Sequence, residues 1–452
     1  MSQSSPPATD RPRPEPLGSG FRRLLAALGL GNLGDGIAVV ALPWYAATIT
    51  DDPFMVALVG AATRLPWLLF ALPAGVLGDR VDRRRLMMAA GGIKASLLAV
   101  LAALAFMGLG SIPSLIVFAL LVGVCEVFFD NTAQSVLPTV VPRSRLERAN
   151  GLFQGVERVL NKFVGAPLAG VLLAVSTALA FGVQALLILG AVAVLFVLRG
   201  NFRAGDQEAS EEPRPLSSVW SQLREGVVWL WRHPVMRPMA LITGLSNLGA
   251  ALMASVMVLF VQDVLDAGPQ AYGLLMTVGA VGAVAGSLVV PSFAGRMSVS
   301  TSLVLSLTLM AVAALTLALL RSVPAFVVCQ LLIGFASMWW NITAISLFGR
   351  VIPDRLRSRV FSAHRTLSWG MLPLGMLLGG ALARFSEGLL GREWSLALPF
   401  LSAGLLETAL IGITALVLTR RVGAGAHPEG RRRGVGPLRP RRGVTPPQEI
   451  GQ

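Results

Sequence analysis

The chain has 452 residues, 54% of them hydrophobic and only 14% charged, with a mean hydropathy of +0.68. A soluble domain carries roughly 25% charged residues, so the polar surface here is too small to coat a water-soluble globule, and the apolar mass is too large for a disordered chain. The net charge of +14 would point to nucleic acid on a soluble protein, but its distribution along the chain gives it another meaning.

Residues 1–20 are polar and rich in Pro and Ser, which predicts a disordered tail. The first apolar run is too long for a signal peptide and is interrupted by Asn32 and Asp35. A membrane-crossing helix needs about 20 mainly apolar residues. Twelve runs meet this: 24–49, 54–78, 86–109, 112–137, 149–174, 176–198, 237–262, 270–294, 300–320, 323–349, 360–385 and 394–419. The connection 199–236 is the longest. It opens on acidic residues, then repeats Leu216, Trp220, Leu223, Val227, Leu230 and Trp231 at helical spacing beside Arg224 and Arg232. This predicts an amphipathic helix along the membrane interface. The expected organisation is a tail (1–20), six spans (21–198), a linker (199–236), six spans (237–419) and a basic tail (420–452).

Thirty of the 38 Lys and Arg fall in the tails and alternate connections on one side. The other side has only Arg321, Arg384 and Arg392, and five cations lie inside runs: Arg64, Lys94, Arg158, Lys162 and Arg365. The positive-inside rule then puts both termini in the cytoplasm of a cell-membrane protein, and the charge is a topology signal with no nucleic-acid role. Cys125 and Cys329 lie in apolar runs and the three His are scattered, so no disulfide framework, metal site or cofactor is expected. No P-loop is present, which excludes direct drive by ATP, and no nucleophile–base arrangement suggests an enzyme.

The halves repeat. Shifting the segment from Asp130 to Pro142 by 211 positions gives Asn341 to Pro353, with Thr132/Thr343, Ala133/Ala344, Ser135/Ser346, Val140/Val351 and Pro142/Pro353 identical. Parallel repeats about a membrane-normal axis are a transporter architecture with the substrate site at mid-membrane.

The loop after the second run reads Gly75-Val-Leu-Gly78-Asp79-Arg80-Val-Asp82-Arg83-Arg84-Arg85. It resembles the signature between helices 2 and 3 of the major facilitator superfamily, with Asp82 where that signature has Gly. Gly34-Asp35-Gly36, Leu146-Glu-Arg-Ala-Asn150-Gly151, Leu223-Arg-Glu-Gly226 through His233-Pro234, and Val351 through Arg359-Val-Phe-Ser resemble the macrolide and siderophore exporter branch. The resemblance covers residues 22–420. It implies an all-α fold of twelve transmembrane helices in two pseudo-symmetric six-helix bundles. Two departures stand out. The Arg of the superfamily's helix-4 motif falls at Ala119, and the helix-5 antiporter motif appears as Gly165-Ala166-Pro167-Leu-Ala-Gly170. A Pro within a span kinks it, which makes Gly165, Pro167 and Gly170 a candidate hinge, alongside a plain packing role.

The interior charges supply further candidates. Asp79 and Arg83 are four residues apart and share a helical side; with Asp130, and with Gly75, Gly78, Arg80 and Arg84 around them, they predict a cytoplasmic gating latch. The resemblance implies that Asp79 also meets the start of helix 11 near Val360 and Phe361, where the helix dipole favours an anion. Deeper lie Asp35 with Asn32, Glu126, and Glu157, Arg158 and Lys162. Asp35 and Glu126 are candidates for a proton-coupling site with Arg158 or Lys162 as switchable partners; the competing reading is a permanently paired network. Asn341, beside Trp339 and Trp340, is a cavity candidate, with packing as its alternative. Arg64 and Arg365 read as snorkelling or carbonyl-capped cations, and Glu407 has no assigned role.

The function this predicts is a secondary active transporter: a monomeric antiporter exporting a lipophilic drug or natural product, as in antibiotic resistance, in exchange for protons. The alternatives are a siderophore or other metabolite transporter, and a non-transporting membrane receptor or scaffold. The expected partners are the lipid bilayer, a small lipophilic substrate and protons.

Overall fold

Apolar segments in lipid have no water to satisfy their amides, so they close their hydrogen bonds internally as helices. The computed structural model describes residues 17–78, 81–198, 202 and 216–425. The tail up to residue 16, Asp79, Arg80, most of the connection before residue 216 and the basic tail beyond residue 425 lie outside the described residues. Twelve long apolar helices and one shorter helix account for nearly all of the rest. They are α1 (Gly18–Ile49), α2 (Pro53–Gly78), α3 (Arg83–Phe106), α4 (Ile112–Val140), α5 (Leu146–Val175), α6 (Thr177–Val197), α7 (Leu216–Arg232), α8 (Met236–Val264), α9 (Pro269–Ala294), α10 (Val299–Leu319), α11 (Val323–Val351), α12 (Arg357–Leu390) and α13 (Arg392–Gly425). All but α7 are long and apolar enough to cross a bilayer. Large apolar side chains such as Phe106, Leu186, Phe196, Leu288 and Phe385 stand exposed on their outer faces, where lipid would cover them.

Local chemistry sets the ends. Ser111, Ser176, Ser298 and Ser322 each accept a hydrogen bond from a first-turn amide of α4, α6, α10 and α11, and Asp82 does so for α3. The repeat seen in the sequence extends over whole elements. Helices α4 and α11 are both 29 residues long and begin and end 211 positions apart, with the capping residues Ser111 and Ser322 in the same register. The short turns Arg143–Arg145 and Asp354–Leu356 that follow them keep that offset.

Helices α1–α6 form one bundle and α8–α13 the other. They meet along α2 against α12 and α5 against α9. With an even number of crossings, α1 begins and α13 ends on one face, here the terminal face; the opposite one is the far face. The closest inter-bundle contacts lie near the far face. A Cβ added at Gly380 would sit 2.9 Å from the Pro53 carbonyl and 3.1 Å from the Phe54 Cα, and one at Gly170 would sit 2.6 Å from the Pro269 carbonyl. Arg384 pairs with Asp52 at 2.8 Å, and the Trp44 and Tyr272 rings lie 5.7 Å apart. Toward the terminal face the helices diverge: the first half of α5 packs on α1 and α4 of its own bundle, and Gln134, Gln154, Glu157, Arg365 and Thr366 are exposed. The two bundles therefore enclose a cleft that opens at the terminal face.

Helix α7 departs from a simple interfacial helix. Its Gly226 lies against the Arg359 backbone, Glu225 pairs with Arg359 at 2.5 Å, and Leu230 is fully buried among Met236, Leu356 and Val360. Arg224, Val228, Trp231 and Arg232 remain exposed. The helix is thus bolted to the start of α12 and moves with the second bundle.

The junction between α7 and α8 depends on a neutral imidazole. His233 Nδ1 accepts from the Val235 and Met236 amides at 3.2 Å each, and the ring stacks on Trp229 at 4.7 Å. Burial holds its pKa below the ordinary value. The unfolded chain therefore binds this proton more readily, and the stabilisation is complete above about pH 6.5 and is lost as pH falls below it. His233→Asn keeps an acceptor that does not titrate. The melting temperature of the purified protein should fall less steeply below about pH 6.5 in this variant than in the wild type; parallel curves would show that His233 has no part in the acid sensitivity.

Candidate transport site

Five charged residues from five helices of the first bundle share one level. Asp35, Arg64, Lys94, Glu126 and Lys162 lie between 11 and 14 residues from the far-face ends of α1, α2, α3, α4 and α5. At 1.5 Å per residue that is about 17–21 Å, close to mid-membrane. Small residues let the helices carrying them approach. Gly91 of α3 lies against Val192 and Phe129, Gly36 of α1 sits against the Asn161 backbone of α5, and a Cβ at Gly165 would fall 2.7 Å from the Gly36 Cα.

At the centre is Lys94, almost wholly buried. Its Nζ donates to Asp35 Oδ1 and lies 3.7 Å from Glu126 Oε2. Asp35 is the more enclosed acid and Glu126 the more exposed, with side chains 12% and 30% accessible. One ammonium thus serves two carboxylates, one shielded and one toward the cleft. Asp130, one turn below Glu126, is within electrostatic reach of Lys94, Asp35 and Glu126 and forms the lower edge of the same cluster.

This differs from the pairing that the sequence suggested. Arg158 and Lys162 make no ion pair with Asp35 or Glu126; the partner is Lys94, from a helix whose lysine carried no assignment. Glu157, Arg158 and Lys162 are all exposed on α5. The candidate hinge lies here: residues 159–165 are wound more loosely than an α-helix, immediately before Pro167, which cannot donate to the preceding turn. Gly165 contacts α1, and Gly170 contacts α9 across the bundle interface. Asn32 and Asn341 each donate to a carbonyl one turn earlier, Leu28 and Ser337, and so remain local.

The latch residues divide. Asp79 and Arg80 lie outside the described residues, and Gly75 and Gly78 form the last turn of α2. Arg83 donates to the Ser135 carbonyl, and Arg84 donates to the Leu195 and Phe196 carbonyls. These bonds join α3 to α4 and α6, all within one bundle.

In the second bundle Glu407 acquires a partner: Ser246 Oγ donates to its Oε1 at 2.6 Å, both residues being buried between α8 and α13. Trp339 packs edge-on against Phe293 and Phe335 and is buried, as is Trp340. Besides Trp44 with Tyr272, Trp67 of α2 and Trp369 of α12, 6.4 Å apart, form an aromatic pair across the bundles. Arg365 lies over the Trp369 ring at 5.4 Å. The sequence signal for the Lys94 cluster was depth: three charges in three spans at one level, with no local partner.

Known proteins agree with this architecture. Residues 16–421 match the family described as transmembrane secretion effector. The chain is 26% identical over 416 residues to the multidrug efflux pump Tap of Mycolicibacterium fortuitum, covering 88% of this chain and 95% of that protein. It is 28% identical over 419 residues to Tap of Mycobacterium tuberculosis, covering 89% and 95%, and 25% identical over 349 residues to the staphyloferrin A transporter of Staphylococcus aureus, covering 76% and 85%. Among solved structures, a bacterial homolog of the human lysosomal transporter Spinster, inward-facing and unoccupied, superposes with a TM-score of 0.70 at 14% identity, covering 91% of this chain and 99% of that one. The nucleoside transporter NupG gives 0.70 at 14% identity, covering 89% and 99%. Two repeated six-helix bundles around a central cleft, matched to this profile over nearly the whole chain, make the protein a transporter and a member of the transmembrane secretion effector family of the major facilitator superfamily.

Proposed function

We propose that the protein is a proton-coupled antiporter that exports lipophilic small molecules across the cell membrane, acting as a monomer with both termini in the cytoplasm. The observation that carries this reading is Lys94 held between Asp35 and Glu126 at mid-membrane. A carboxylate is stabilised by an adjacent cation, and desolvation favours its protonated form. A small movement of Lys94 toward one acid leaves the other without its counter-charge and ready to take a proton. Alternating access supplies such movements, because α1, α3 and α4 change their exposure as the bundles rock. The π-wound stretch of α5 before Pro167 is the proposed hinge, and the segment around Asp79, Arg80, Arg83 and Arg84 the proposed cytoplasmic latch.

The charge asymmetry of the connections supports the orientation. The terminal face is then cytoplasmic, and the cleft opens inward. One proton crossing is worth about 2.3 kcal/mol per 100 mV, enough for roughly a 50-fold gradient. The relatives named multidrug efflux pump support a lipophilic substrate, and the staphyloferrin A transporter supports a second reading, export of a siderophore or other metabolite.

Proton movement driven by a substrate gradient in proteoliposomes tests the coupling. Asp35→Asn and Glu126→Gln should each abolish it while leaving substrate exchange without a gradient in place. Normal coupling in both variants would remove the cluster from the mechanism.

A further inference from the structure

Among the described residues, the cations at mid-membrane and at the far face fall into two groups. Lys94 is paired with Asp35, and the three Arg of the far face all have acids: Arg321 with Glu393, Arg384 with Asp52, and Arg392 with Asp263 and Glu387. Among the described residues Arg64 and Lys162 have none, and neither do Arg158 and Arg365 nearer the terminal face. Arg64 and Lys162 lie within spans and are exposed, and no carboxylate among the described residues reaches ion-pair distance of either. They stand at similar depth, about 17 and 20 Å from the far-face ends of α2 and α5, and Lys162 lies within electrostatic range of Arg64. Glu126 and Glu157 are the acids within electrostatic range of Lys162, but Glu126 is already engaged with Lys94.

Arg64 is exposed beside the seam between α2 and α12, as its neighbours on α2 show. Gly60 lies against Met376 of α12, Trp67 against Trp369, and Leu68 against Gly370. Arg64 falls on this same stripe, one turn from Gly60 and from Leu68. On its terminal side Leu68 and Trp369 are exposed and continue this stripe as an apolar wall. Two like charges within electrostatic range of one another repel, and intramembrane ionisable groups mark a ligand pathway. A single anionic group between them would neutralise the repulsion and take charge-assisted hydrogen bonds from both.

We propose that Arg64 and Lys162 form an anion-binding subsite of the transport cleft, and that the protein's substrates are amphiphiles joining a carboxylate, phosphate or sulfate to an apolar body that rests on the wall beside Trp67 and Trp369. This rests on the export reading above and narrows its substrate class. It does not involve the Asp35–Lys94–Glu126 cluster, so the two stand or fall separately.

Matched probes test it without any gradient. Pyrenebutyrate and pyrenebutylamine share an apolar body and differ in charge. Titrated against the full-length protein in phosphatidylcholine nanodiscs, the butyrate should bind roughly tenfold more tightly than the amine. Arg64→Gln and Lys162→Gln should each weaken the butyrate by about the same factor while binding the amine at least as well as the wild type, which also reports that they are folded. Arg64→Lys should retain most of the preference. Should a Gln variant bind neither probe through misfolding, the wild-type preference and the Arg64→Lys result still decide. Equal binding of the two probes by the wild type, preference for the amine, or butyrate binding unchanged in both Gln variants would overturn the proposal.

Discussion

Lys94→Met is expected to lower the stability of the folded protein by about 3–5 kcal/mol, the usual effect of removing one partner from a buried ion pair. Among the described residues Lys94 is the sole cation in contact with Asp35, and both are largely shielded from water. Without it, Asp35 must either remain as an unpaired anion or take up a proton permanently. Either state ends its use as a switch, so substrate-driven proton movement should vanish as well. The double variant Lys94→Met with Asp35→Asn removes both charges, and most of the lost stability should return while coupling stays absent. Thermal unfolding in detergent separates these outcomes. If the double variant is as unstable as the single one, Lys94 acts through packing and not through charge.

Gly380→Leu should force the bundles apart at the far face. A side chain there meets the Ala57 Cβ, the Pro53 carbonyl and the Phe54 backbone of α2, none of which can rotate away. Overpacking of this kind costs about 1–3 kcal/mol. Because the contact exists only when the far face is closed, the cost appears as a shift between conformations, about 5–150-fold toward the form open at that face. Gly388, on the same helix with open space around it, is the control: Gly388→Leu should leave the distribution unchanged. Spin labels at the far-face ends of α2 and α12 report the separation directly. An unshifted distance distribution in Gly380→Leu would mean that the helices slide past the bulk and that this contact is no gate. The neighbouring Arg384–Asp52 pair contributes less, since both side chains are partly exposed and such pairs are worth under about 1 kcal/mol.

Both predictions depend on contacts between helices distant in the chain, and here sequence and structure part. Twelve spans, their six-and-six division and the internal repeat were legible because each depends on local composition. An apolar run of sufficient length must become a helix in lipid, and the offset of 211 positions that relates Asp130 to Asn341 relates the caps Ser111 and Ser322 as well. The presence of a few intramembrane charges was equally plain, since each is conspicuous against hydrocarbon.

Which charge meets which was another matter. Helical spacing ties a residue to neighbours three or four positions away; it carries no information on how a helix is rotated against others dozens of residues off. Lys162 and Arg158 therefore looked like partners for Asp35, whereas the packing of α3 against α4 and α6, permitted by Gly91, turns Lys94 inward to meet it. The packing of other helices leaves Arg64 and Lys162 exposed without an acid partner among the described residues, buries Trp339, and aims Glu407 at Ser246. Composition and periodicity determined what crosses the membrane and how many times. The rotation and close approach of the helices, decided by small residues and shape, determined which of the rare interior charges are neutralised and which remain open to a ligand.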